Sequence, residues 1–346
     1  MRNPTGDADE SALEELLSRP THAVVEALGT LEGDILVLGA GGKMGPSLAR
    51  LARRASDAAP VGVRRRVIAV SRYPLGATRD ALERDGVDTI AADLLDPAAI
   101  AGLPDAPNVV YMVGQKFGTT NDAPRTWAIN ALLPGLVAQR FSRSNIVAFS
   151  TGNVYPLSPA SGEGPSETDA TGPIGEYACS ALARERVLEF CSVRQRTPMV
   201  LLRLNYAVEP RYGVLRDLAD RIQAGEPVDL GMAKVNLIWQ RDANAVALRA
   251  LEHCSVPPLV LNVTGHPAHP VRWLAEQLGD RLGKTPRFEG VEAQTALLSD
   301  ATRMIELFGE PDLGIAEMFD VVADWVRRGG RSLGKPTHFE EREGRF

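Results

Sequence analysis

The sequence predicts an α/β protein with a Rossmann-type, doubly wound parallel sheet and a smaller C-terminal lobe. Two observations predict this fold class. Short, mostly apolar runs alternate with helical patterns along the 346 residues, which is typical of buried parallel strands with helices on both faces. Beyond residue 205 such runs become rare, which indicates a second lobe assembled from separate pieces. The predicted strands are residues 34–39, 66–71, 87–91, 108–113, 145–150, 199–205 and 259–263.

A glycine loop follows the first predicted strand as Gly39-Ala-Gly-Gly42-Lys43-Met44-Gly45. Gly39 allows a sharp turn, Gly42 lets the backbone approach a pyrophosphate, and Gly45 lets the next helix pack tightly. The N-terminus of that helix offers free N–H groups and positive dipole charge to the pyrophosphate. The strand before the loop and the helix after it favour a dinucleotide site over an ordinary glycine-rich turn.

Four parts are expected along the chain. An N-terminal extension has a polar, acidic stretch expected to be disordered and then apolar positions at near-helical spacing, which should pack against the body. The C-terminal tail is polar and glycine-rich. The parts are the extension, 1–33 (disordered at 1–10, helical at 11–29); the Rossmann domain, 34–205 plus 236–265; the smaller lobe, 206–235 plus 266–330; and the tail, 331–346.

Composition excludes several classes of protein. The net charge of −6 argues against a nucleic-acid surface. No apolar run is long enough for a membrane span, and the polar start does not resemble a signal peptide. The three cysteines are widely spaced and form no metal or disulfide pattern. We therefore expect a cytoplasmic protein without a metal, a nucleic-acid partner or a membrane partner.

Several later segments match the pattern of one family in order. With the glycine loop, they resemble the extended short-chain dehydrogenase/reductase family, the NAD(P)-dependent epimerases and dehydratases of sugars and related compounds. The resemblance runs from about residue 34 to residue 328. The matching segments are Asp93-Leu94-Leu-Asp96, Asn130, Phe149-Ser-Thr151-Gly-Asn153-Val-Tyr155, Tyr177-Ala-Cys-Ser180, Arg203-Leu-Asn205 and Trp239-Gln240-Arg-Asp242.

The resemblance implies a Rossmann sheet with a C-terminal substrate lobe, a small-molecule substrate and hydride transfer on a nicotinamide. It also implies a homodimer formed by helices at about 122–141 and 176–194. Tyr177 would be the acid or base on the substrate oxygen, and Thr151 would hydrogen-bond to that oxygen. The alternative is a core tyrosine and a turn threonine. Substrate contacts are expected from Asn153, Asn205, Trp239 and Gln240, and further cofactor contacts from Asp93 and Leu94, near the adenine, and from Val113 and Gly114.

One departure from the family pattern concerns catalysis. The family normally has a lysine four residues after the tyrosine, where it lowers the pKa of the phenol, but this chain has Ala181. Lys116 lies in the loop after the fourth predicted strand, at the edge of the sheet where ligands bind. It is either the replacement cation or a solvated loop lysine. Arg184 is interpreted as a surface or interface residue.

The end of the second predicted strand bears on the choice of cofactor. NAD enzymes of this fold usually place a carboxylate there, whereas this chain has Ser71 and Arg72. A hydroxyl and a guanidinium suit a 2′-phosphate, and Lys43 would add a second cation. We therefore expect NADP, with NAD as the less favoured cofactor. Arg72 as a plain surface residue is the alternative.

The leading hypothesis is an NADP-dependent oxidoreductase, epimerase or dehydratase acting on a small polar hydroxy or keto compound, including a sugar derivative. The alternative is a catalytically weakened, NADP-binding regulatory or scaffold protein, which Ala181 favours. Nucleotide-sugar epimerases carry a diphosphate-binding arginine where this chain has Val235. That departure argues against a nucleotide-sugar substrate.

Overall fold

The computed structural model describes residues 4–60, 65–74, 76–119 and 121–346. Its centre is a sheet of seven parallel strands in the order β3-β2-β1-β4-β5-β6-β7. The predicted fold class is confirmed, and each predicted strand is present to within two residues at either end. The strands are β1 (Ile35–Leu38), β2 (Val67–Ser71), β3 (Asp88–Ala91), β4 (Asn108–Tyr111), β5 (Asn145–Thr151), β6 (Met199–Leu204) and β7 (Leu259–Val263).

The strand order reverses at β1, which pairs with β2 on one side and β4 on the other. All four residues of β1 are buried. Ile35 and Val37 belong to the core on one face of the sheet, and Leu36 and Leu38 belong to the core on the other face. A crevice therefore opens at the carboxyl ends of β1 and β4, which is where sheets of this type bind ligands.

Helices cover both faces of the sheet. One face packs against α2, α3, α10 and α12, and the other against α5, α7 and α8. The helices are α1 (Pro4–Ser18), α2 (His22–Thr30), α3 (Gly45–Ala58), α4 (Gly76–Arg84), α5 (Pro97–Ala101), α6 (Ala123–Trp127), α7 (Leu133–Arg140), α8 (Gly175–Gln195), α9 (Val214–Ala224), α10 (Gln240–Arg249), α11 (Val271–Leu282), α12 (Thr302–Phe308) and α13 (Ile315–Arg327). A π-helical turn (Ala128–Leu132) joins α6 to α7, and 3₁₀ turns span Gly152–Val154 and Ala250–His253.

The N-terminal extension bridges the two parts of the body. Leu17 is buried in the core of the smaller lobe, whereas Leu28 is buried in the core of the sheet. Glu14 accepts hydrogen bonds from Arg50 on α3 at 2.5 Å and from Arg211 at 2.6 Å. The extension thus packs against the body, as its apolar spacing predicts.

The expected disorder of residues 1–10 is wrong for most of that stretch. Helix α1 begins at Pro4 rather than at residue 11, and residues 1–3 lie outside the described part of the chain. The acidic side chain of Glu10 is paired with Arg331 of the tail, with Nη2 2.8 Å from Oε2. This ion pair ties the end of the stretch to the tail.

A second core lies in the smaller lobe, between α9, α11 and α13. It also includes Phe339 from the tail. Helix α12 was predicted to belong to the smaller lobe, but its Met304 and Phe308 pack into the core of the sheet. Short two-stranded pairs complete the lobe and its junctions: Pro227–Asp229 with Arg287–Glu289, Ala207–Val208 with Ile238–Trp239, Lys234–Val235 with His269–Pro270, and Ser158–Pro159 with Thr295–Ala296. None of the described helices has the length and apolar character needed to cross a membrane.

Candidate active site

A cavity of about 350 Å³ lies between the carboxyl edge of the sheet and the smaller lobe. It forms where β1, β4, β5 and β6 end and where the chain passes into the lobe. The structure therefore brings together residues that the sequence places more than a hundred positions apart. The predicted site residues that line this cavity are Gly39, Gly42, Lys43, Met44, Gly45, Gly114, Lys116, Thr151, Asn153, Tyr177, Asn205 and Gln240.

The glycine loop has the shape of a pyrophosphate cradle. Gly39 has a φ of +89°, and a Cβ there would lie 2.9 Å from the backbone nitrogen of Val113. At Gly45, where α3 begins, a Cβ would lie 2.5 Å from the carbonyl oxygen of Ala40. A Cβ on Gly42 would meet only the Gly39 oxygen among described atoms, at 3.3 Å, so this residue faces the cleft. The loop and the helix N-terminus therefore fit a dinucleotide pyrophosphate.

The end of β2 lies beside this loop. The Ser71 hydroxyl would be 2.4 Å from a Cβ on Gly41. Tyr73 turns back into the core and donates a hydrogen bond to the Ala69 oxygen at 3.0 Å, which leaves Arg72 exposed between the two. A hydroxyl and a guanidinium thus stand next to the glycine loop, outside the cavity lining.

Asp93, Leu94 and Val113 also lie outside the cavity lining. Asp93 is exposed and accepts a hydrogen bond from the Leu95 N–H at 3.1 Å. Leu94 is buried in the core, and the Val113 side chain lies behind Gly39. These residues border the loop and the sheet edge rather than the space in front of Tyr177.

Trp239 is placed differently from its prediction as a substrate contact. Its side chain is fully buried in the core of the smaller lobe. Burial removes a large aromatic surface from water, although the indole N–H has no hydrogen-bond partner among the described residues. The neighbouring Gln240 does line the cavity, and it donates to the Ser47 hydroxyl at 2.9 Å.

Lys43 faces the smaller lobe rather than the end of β2. Its ammonium lies 3.3 Å from the ring centre of Tyr212 and 4.5 Å from that of Phe117. This placement does not match its predicted role as a second cation for a 2′-phosphate at Ser71. Burial, together with the charges of Lys116 and Lys335, lowers the pKa of Lys43 to about 6. Lys43 is therefore mostly uncharged near pH 7, and an anionic ligand beside it would favour its protonated form.

Tyr177 and Thr151 are the residues predicted to handle the proton. Thr151 ends β5 and Tyr177 lies in the first turn of α8, so both face the cavity. Burial raises the pKa of the Tyr177 phenol, while a hydrogen bond with Thr151 and the charge of Arg184 act to lower it. Asn153 donates to the Thr151 hydroxyl at 3.0 Å and fixes its orientation.

The C-terminal tail reaches the same site. Lys116 donates to the Thr337 carbonyl at 2.9 Å, and its ammonium lies 4.6 Å from the ring centre of Phe346. The Phe346 ring packs edge-on against Tyr177, with 5.5 Å between ring centres. Burial lowers the pKa of Lys116 to about 8, against the opposing charges of Asp217 and Glu340. Lys116 therefore contacts the tail, and its role as the replacement cation stays a prediction.

Sequence reasoning missed the contribution of the tail to the site. Phe339 is buried in the lobe, and Thr337 donates to Asp217 on α9 at 2.6 Å. Lys335 and Thr337 both line the cavity. The aromatic residues of an otherwise polar tail were the available signal, because isolated phenylalanines in such a segment favour burial.

The interpretation of Arg184 as a surface residue is wrong. Arg184 is buried and lines the cavity together with Tyr177. It donates to the Phe149 carbonyl at 2.6 Å and to the side-chain oxygen of Asn130 at 3.0 Å. Asn130 in turn exchanges hydrogen bonds with the backbone of Gln115, at 2.8 and 2.9 Å. Arg184 and Asn130 thus tie α8 to the loop after β4.

Comparisons with known proteins bear on this site. The profile of the NAD dependent epimerase/dehydratase family matches residues 35–264, which is 230 of the 346 residues. Comparison with curated protein sequences gives no match. Several solved structures are similar in fold.

One of these structures is MoeE5 in complex with UDP-glucuronic acid and NAD, with a TM-score of 0.71 and 21% identity over 86% of this chain and 100% of that chain. A second is the epimerase Mth375 from Methanothermobacter thermautotrophicus, with a TM-score of 0.73 and 15% identity over 89% and 96%. A third is the Thermus thermophilus UDP-glucose 4-epimerase in complex with NAD, with a TM-score of 0.69 and 20% identity over 85% and 99%. At these identities the likeness establishes the fold.

The family profile covers the glycine loop, the Thr151–Tyr177 pair and the passage into the smaller lobe. The chain belongs to the NAD dependent epimerase/dehydratase family and is an enzyme that depends on a nicotinamide dinucleotide.

Proposed function

We propose that this protein is an NADP-dependent epimerase, dehydratase or oxidoreductase that acts on a small polar hydroxy or keto compound, such as a sugar derivative. The observation that carries the proposal is the position of Thr151 and Tyr177. Both line the cavity that also contains the glycine cradle, so a proton-transfer group stands beside the place that fits a dinucleotide.

The residues of the chain have separate tasks in this proposal. When bound, the nicotinamide accepts or returns a hydride at the substrate carbon. Tyr177 takes the proton from the substrate hydroxyl as the carbonyl forms, and returns it to the oxygen in the reverse step. Thr151 holds the same oxygen by a hydrogen bond. Residues 39–45 and the start of α3 hold the pyrophosphate.

NADP is proposed over NAD because of the end of β2. Ser71 and the exposed Arg72 stand beside the glycine loop, where a carboxylate would select the ribose hydroxyls of NAD. A guanidinium binds a phosphate through paired hydrogen bonds. The similar structures of MoeE5 and the Thermus thermophilus epimerase contain NAD, whereas the proposed preference of this chain for NADP rests on its own Ser71 and Arg72.

The proposed substrate is small and polar. The cavity is in the lower part of the usual size range for ligand sites, which is roughly 300–1,000 Å³. Its wall offers the amides of Asn153 and Asn205 together with Lys43 and Lys116. Val235, where nucleotide-sugar epimerases carry an arginine, is buried in the lobe core. Asn and Lys side chains favour a ligand with hydroxyl and anionic groups.

A homodimer in the cytoplasm completes the proposal. Exposed apolar side chains concentrate on the helices expected to pair: Leu132 is 60% exposed, Phe190 61% and Val193 55%. Such a patch marks an association surface. We expect the unmodified protein to sediment as a dimer and Phe190→Asp to sediment as a monomer. The cysteines are free, which suits a reducing compartment.

The alternative is an NADP-binding regulatory or scaffold protein with a weakened site. Two observations favour it: Ala181 replaces the lysine of the family pattern, and the Phe346 ring packs against Tyr177. This alternative predicts cofactor binding without turnover, whereas the enzyme proposal predicts both.

The test combines binding with turnover. Calorimetry with NADP and NAD measures the cofactor preference, and a panel of sugar derivatives and hydroxy acids is followed by the absorbance of reduced nicotinamide and by NMR of epimerised product. The enzyme proposal expects turnover that Tyr177→Phe lowers by roughly a hundredfold or more and that Tyr73→Phe, whose phenol lies in the core, retains. Tight cofactor binding with no turnover on any panel member, in the presence or absence of the tail residues 335–346, supports the alternative.

A further inference from the structure

We infer that Arg184 is the positioning residue that supplies the permanent positive charge beside Tyr177, in place of the lysine that is absent at position 181. The inference rests on the proposed function, because it assigns the charge that lets Tyr177 act as a base. It stands on the register of α8, the burial of the guanidinium and its fixed contacts.

The register of α8 brings Arg184 to the tyrosine. Residue 184 follows Tyr177 by seven positions, which is about two helical turns, so both lie on one face. Side chains on a helix lean toward its N-terminus. A long side chain at residue 184 therefore leans in the direction of Tyr177, and both residues line the cavity.

The guanidinium is held in place by three hydrogen bonds. Nη1 donates to the Phe149 carbonyl at 2.6 Å, Nη2 to Asn130 Oδ1 at 3.0 Å, and Nε to the Asn130 carbonyl at 3.2 Å. These bonds use three of the five N–H groups of an arginine. A Cβ on Gly114 would lie 2.9 Å from Nη2, so the glycine after β4 makes room for the guanidinium at the cavity wall.

Other ionisable groups face Tyr177 from the surrounding elements. Lys43 comes from the glycine loop, Lys116 from the loop after β4, Tyr206 and Tyr212 from the smaller lobe, and Lys335 from the tail, all of them lining the same cavity. On α8 itself, Glu176 accepts a hydrogen bond from the Trp127 indole at 2.6 Å. Each of the cationic groups is a competitor of Arg184.

Arg184 differs from the lysines in its permanence. Burial lowers the pKa of Lys116 to about 8 and that of Lys43 to about 6, so Lys43 is mostly uncharged at pH 7 and Lys116 loses its charge as the pH rises through about 8. An arginine keeps its proton throughout this range. Lys116 and Lys43 are also engaged elsewhere, on the Thr337 carbonyl and the Tyr212 ring. The charge of Arg184 acts to lower the pKa of Tyr177 against the effect of burial.

The test measures the ionisation of Tyr177 in the protein without cofactor, and so needs no substrate. All six tyrosines are replaced by a fluorinated tyrosine, whose phenol ionises at lower pH, and the fluorine NMR signals are followed as the pH is raised. Tyr177→Phe identifies the signal of Tyr177. Arg184→Met is compared with Arg184→Lys, with Lys116→Met and with the double variant Arg184→Met/Ala181→Lys.

We expect Arg184→Met to raise the pKa of Tyr177 by about one to two units. Arg184→Lys should raise it by less, because it keeps a positive charge. Ala181→Lys in the Arg184→Met background should restore most of the original value. If Arg184 had only a structural role, the loss of its contacts would leave the titration of Tyr177 unchanged.

Gly114→Ala provides a second route if Arg184→Met does not fold. It retains every charged side chain and pushes a methyl group against the guanidinium, so it should also raise the pKa of Tyr177. The inference is overturned if Arg184→Met or Gly114→Ala leaves the titration of Tyr177 unchanged, or if Lys116→Met moves it as far as Arg184→Met does. Absence of cofactor binding or turnover in the unmodified protein would instead contradict the proposed function.

Discussion

The two ends of the cleft are built by different means. At the proposed cofactor end, the backbone of residues 39–45 and the start of α3 form the surface that fits a pyrophosphate, and four of these seven residues are glycines. At the proton-transfer end, Tyr177 depends on side chains from β5, α8, the smaller lobe and the tail. The first end tolerates little change in shape. The second depends on which charged groups the fold brings together.

Removal of the Tyr177 hydroxyl should give the largest difference between the effects on turnover and on cofactor affinity. We expect Tyr177→Phe to lower turnover by roughly a hundredfold to ten-thousandfold, the usual contribution of a general acid or base. Cofactor affinity should change little, since the pyrophosphate is held by the loop. Steady-state kinetics and calorimetry on the same preparation check both statements. Equal loss of binding and turnover would show that the two ends are not independent.

Substitutions in the glycine loop should show the opposite pattern. Gly42→Ala places a methyl group toward the cleft and should weaken dinucleotide binding by at least about tenfold, roughly 1.4 kcal/mol. Gly45→Ala drives its Cβ to 2.5 Å from the Ala40 oxygen and should also destabilise the fold by roughly 1–3 kcal/mol.

Gly76→Ala is the matched control for both glycine variants. It meets no described atom within 4 Å and should leave stability within about 0.5 kcal/mol and binding unchanged. Calorimetry and denaturant unfolding measure the two quantities. The cradle assignment fails if Gly42→Ala binds the cofactor as well as Gly76→Ala does.

Arg72 should determine the preference between NADP and NAD. NADP should bind at least about tenfold more tightly than NAD, roughly 1.4 kcal/mol. Arg72→Ala should remove most of this preference, whereas Arg303→Ala, at an exposed arginine on α12 that lies outside the cavity lining, should keep it. Calorimetric titration with both dinucleotides decides the matter. Equal or tighter binding of NAD by the unmodified protein would assign NAD as the cofactor.

Protonation of Lys43 should make dinucleotide binding depend on pH. Its pKa is lowered to about 6, first by burial and then by Lys116 and Lys335, so most of it is neutral near neutral pH. A bound diphosphate favours the charged form and raises this pKa, so binding at about pH 7 should take up as much as about one proton.

Proton uptake is measured by calorimetry in two buffers of different ionisation enthalpy. Lys43→Met should abolish most of the uptake, and Lys234→Met, in the lobe and outside the cavity lining, should not. Release of protons on binding would contradict this sign.

The shape of the glycine loop follows from the sequence more directly than the surroundings of Tyr177 do, for a physical reason. Continuous apolar runs and glycine spacing determine the local shape of β1 and the loop, so both could be placed without knowledge of the rest of the fold. The burial of Arg184 depends on which face of α8 meets the sheet. Arg184 lies four residues from both Ser180 and Leu188, which are also buried. This helical spacing indicates that Arg184 faces the protein interior, but its charge led to the prediction of a surface residue.

The positions of the tail and of Trp239 also depend on contacts between distant parts of the chain. Thr337 lines the cavity and Phe346 packs against Tyr177, while Phe339 and the contact of Thr337 with Asp217 anchor the tail to the lobe. Proximity in sequence predicts none of these contacts. Trp239 follows the family pattern in sequence, yet the lobe buries its ring away from the cavity.

A crystal structure of the protein soaked with NADP tests the central claim most directly. We expect the pyrophosphate against residues 39–45 and the N-terminus of α3, the 2′-phosphate beside Arg72, and the nicotinamide in the cavity next to Tyr177. Arg184, rather than Lys116, should be the fixed positive charge nearest to the Tyr177 hydroxyl. A distance above about 8 Å between the Lys116 ammonium and this hydroxyl, beyond the 4–6 Å range of strong pKa shifts, would rule out a direct role for Lys116. A dinucleotide bound away from the glycine loop, or a nicotinamide kept out of the cavity by Phe346, would contradict the account.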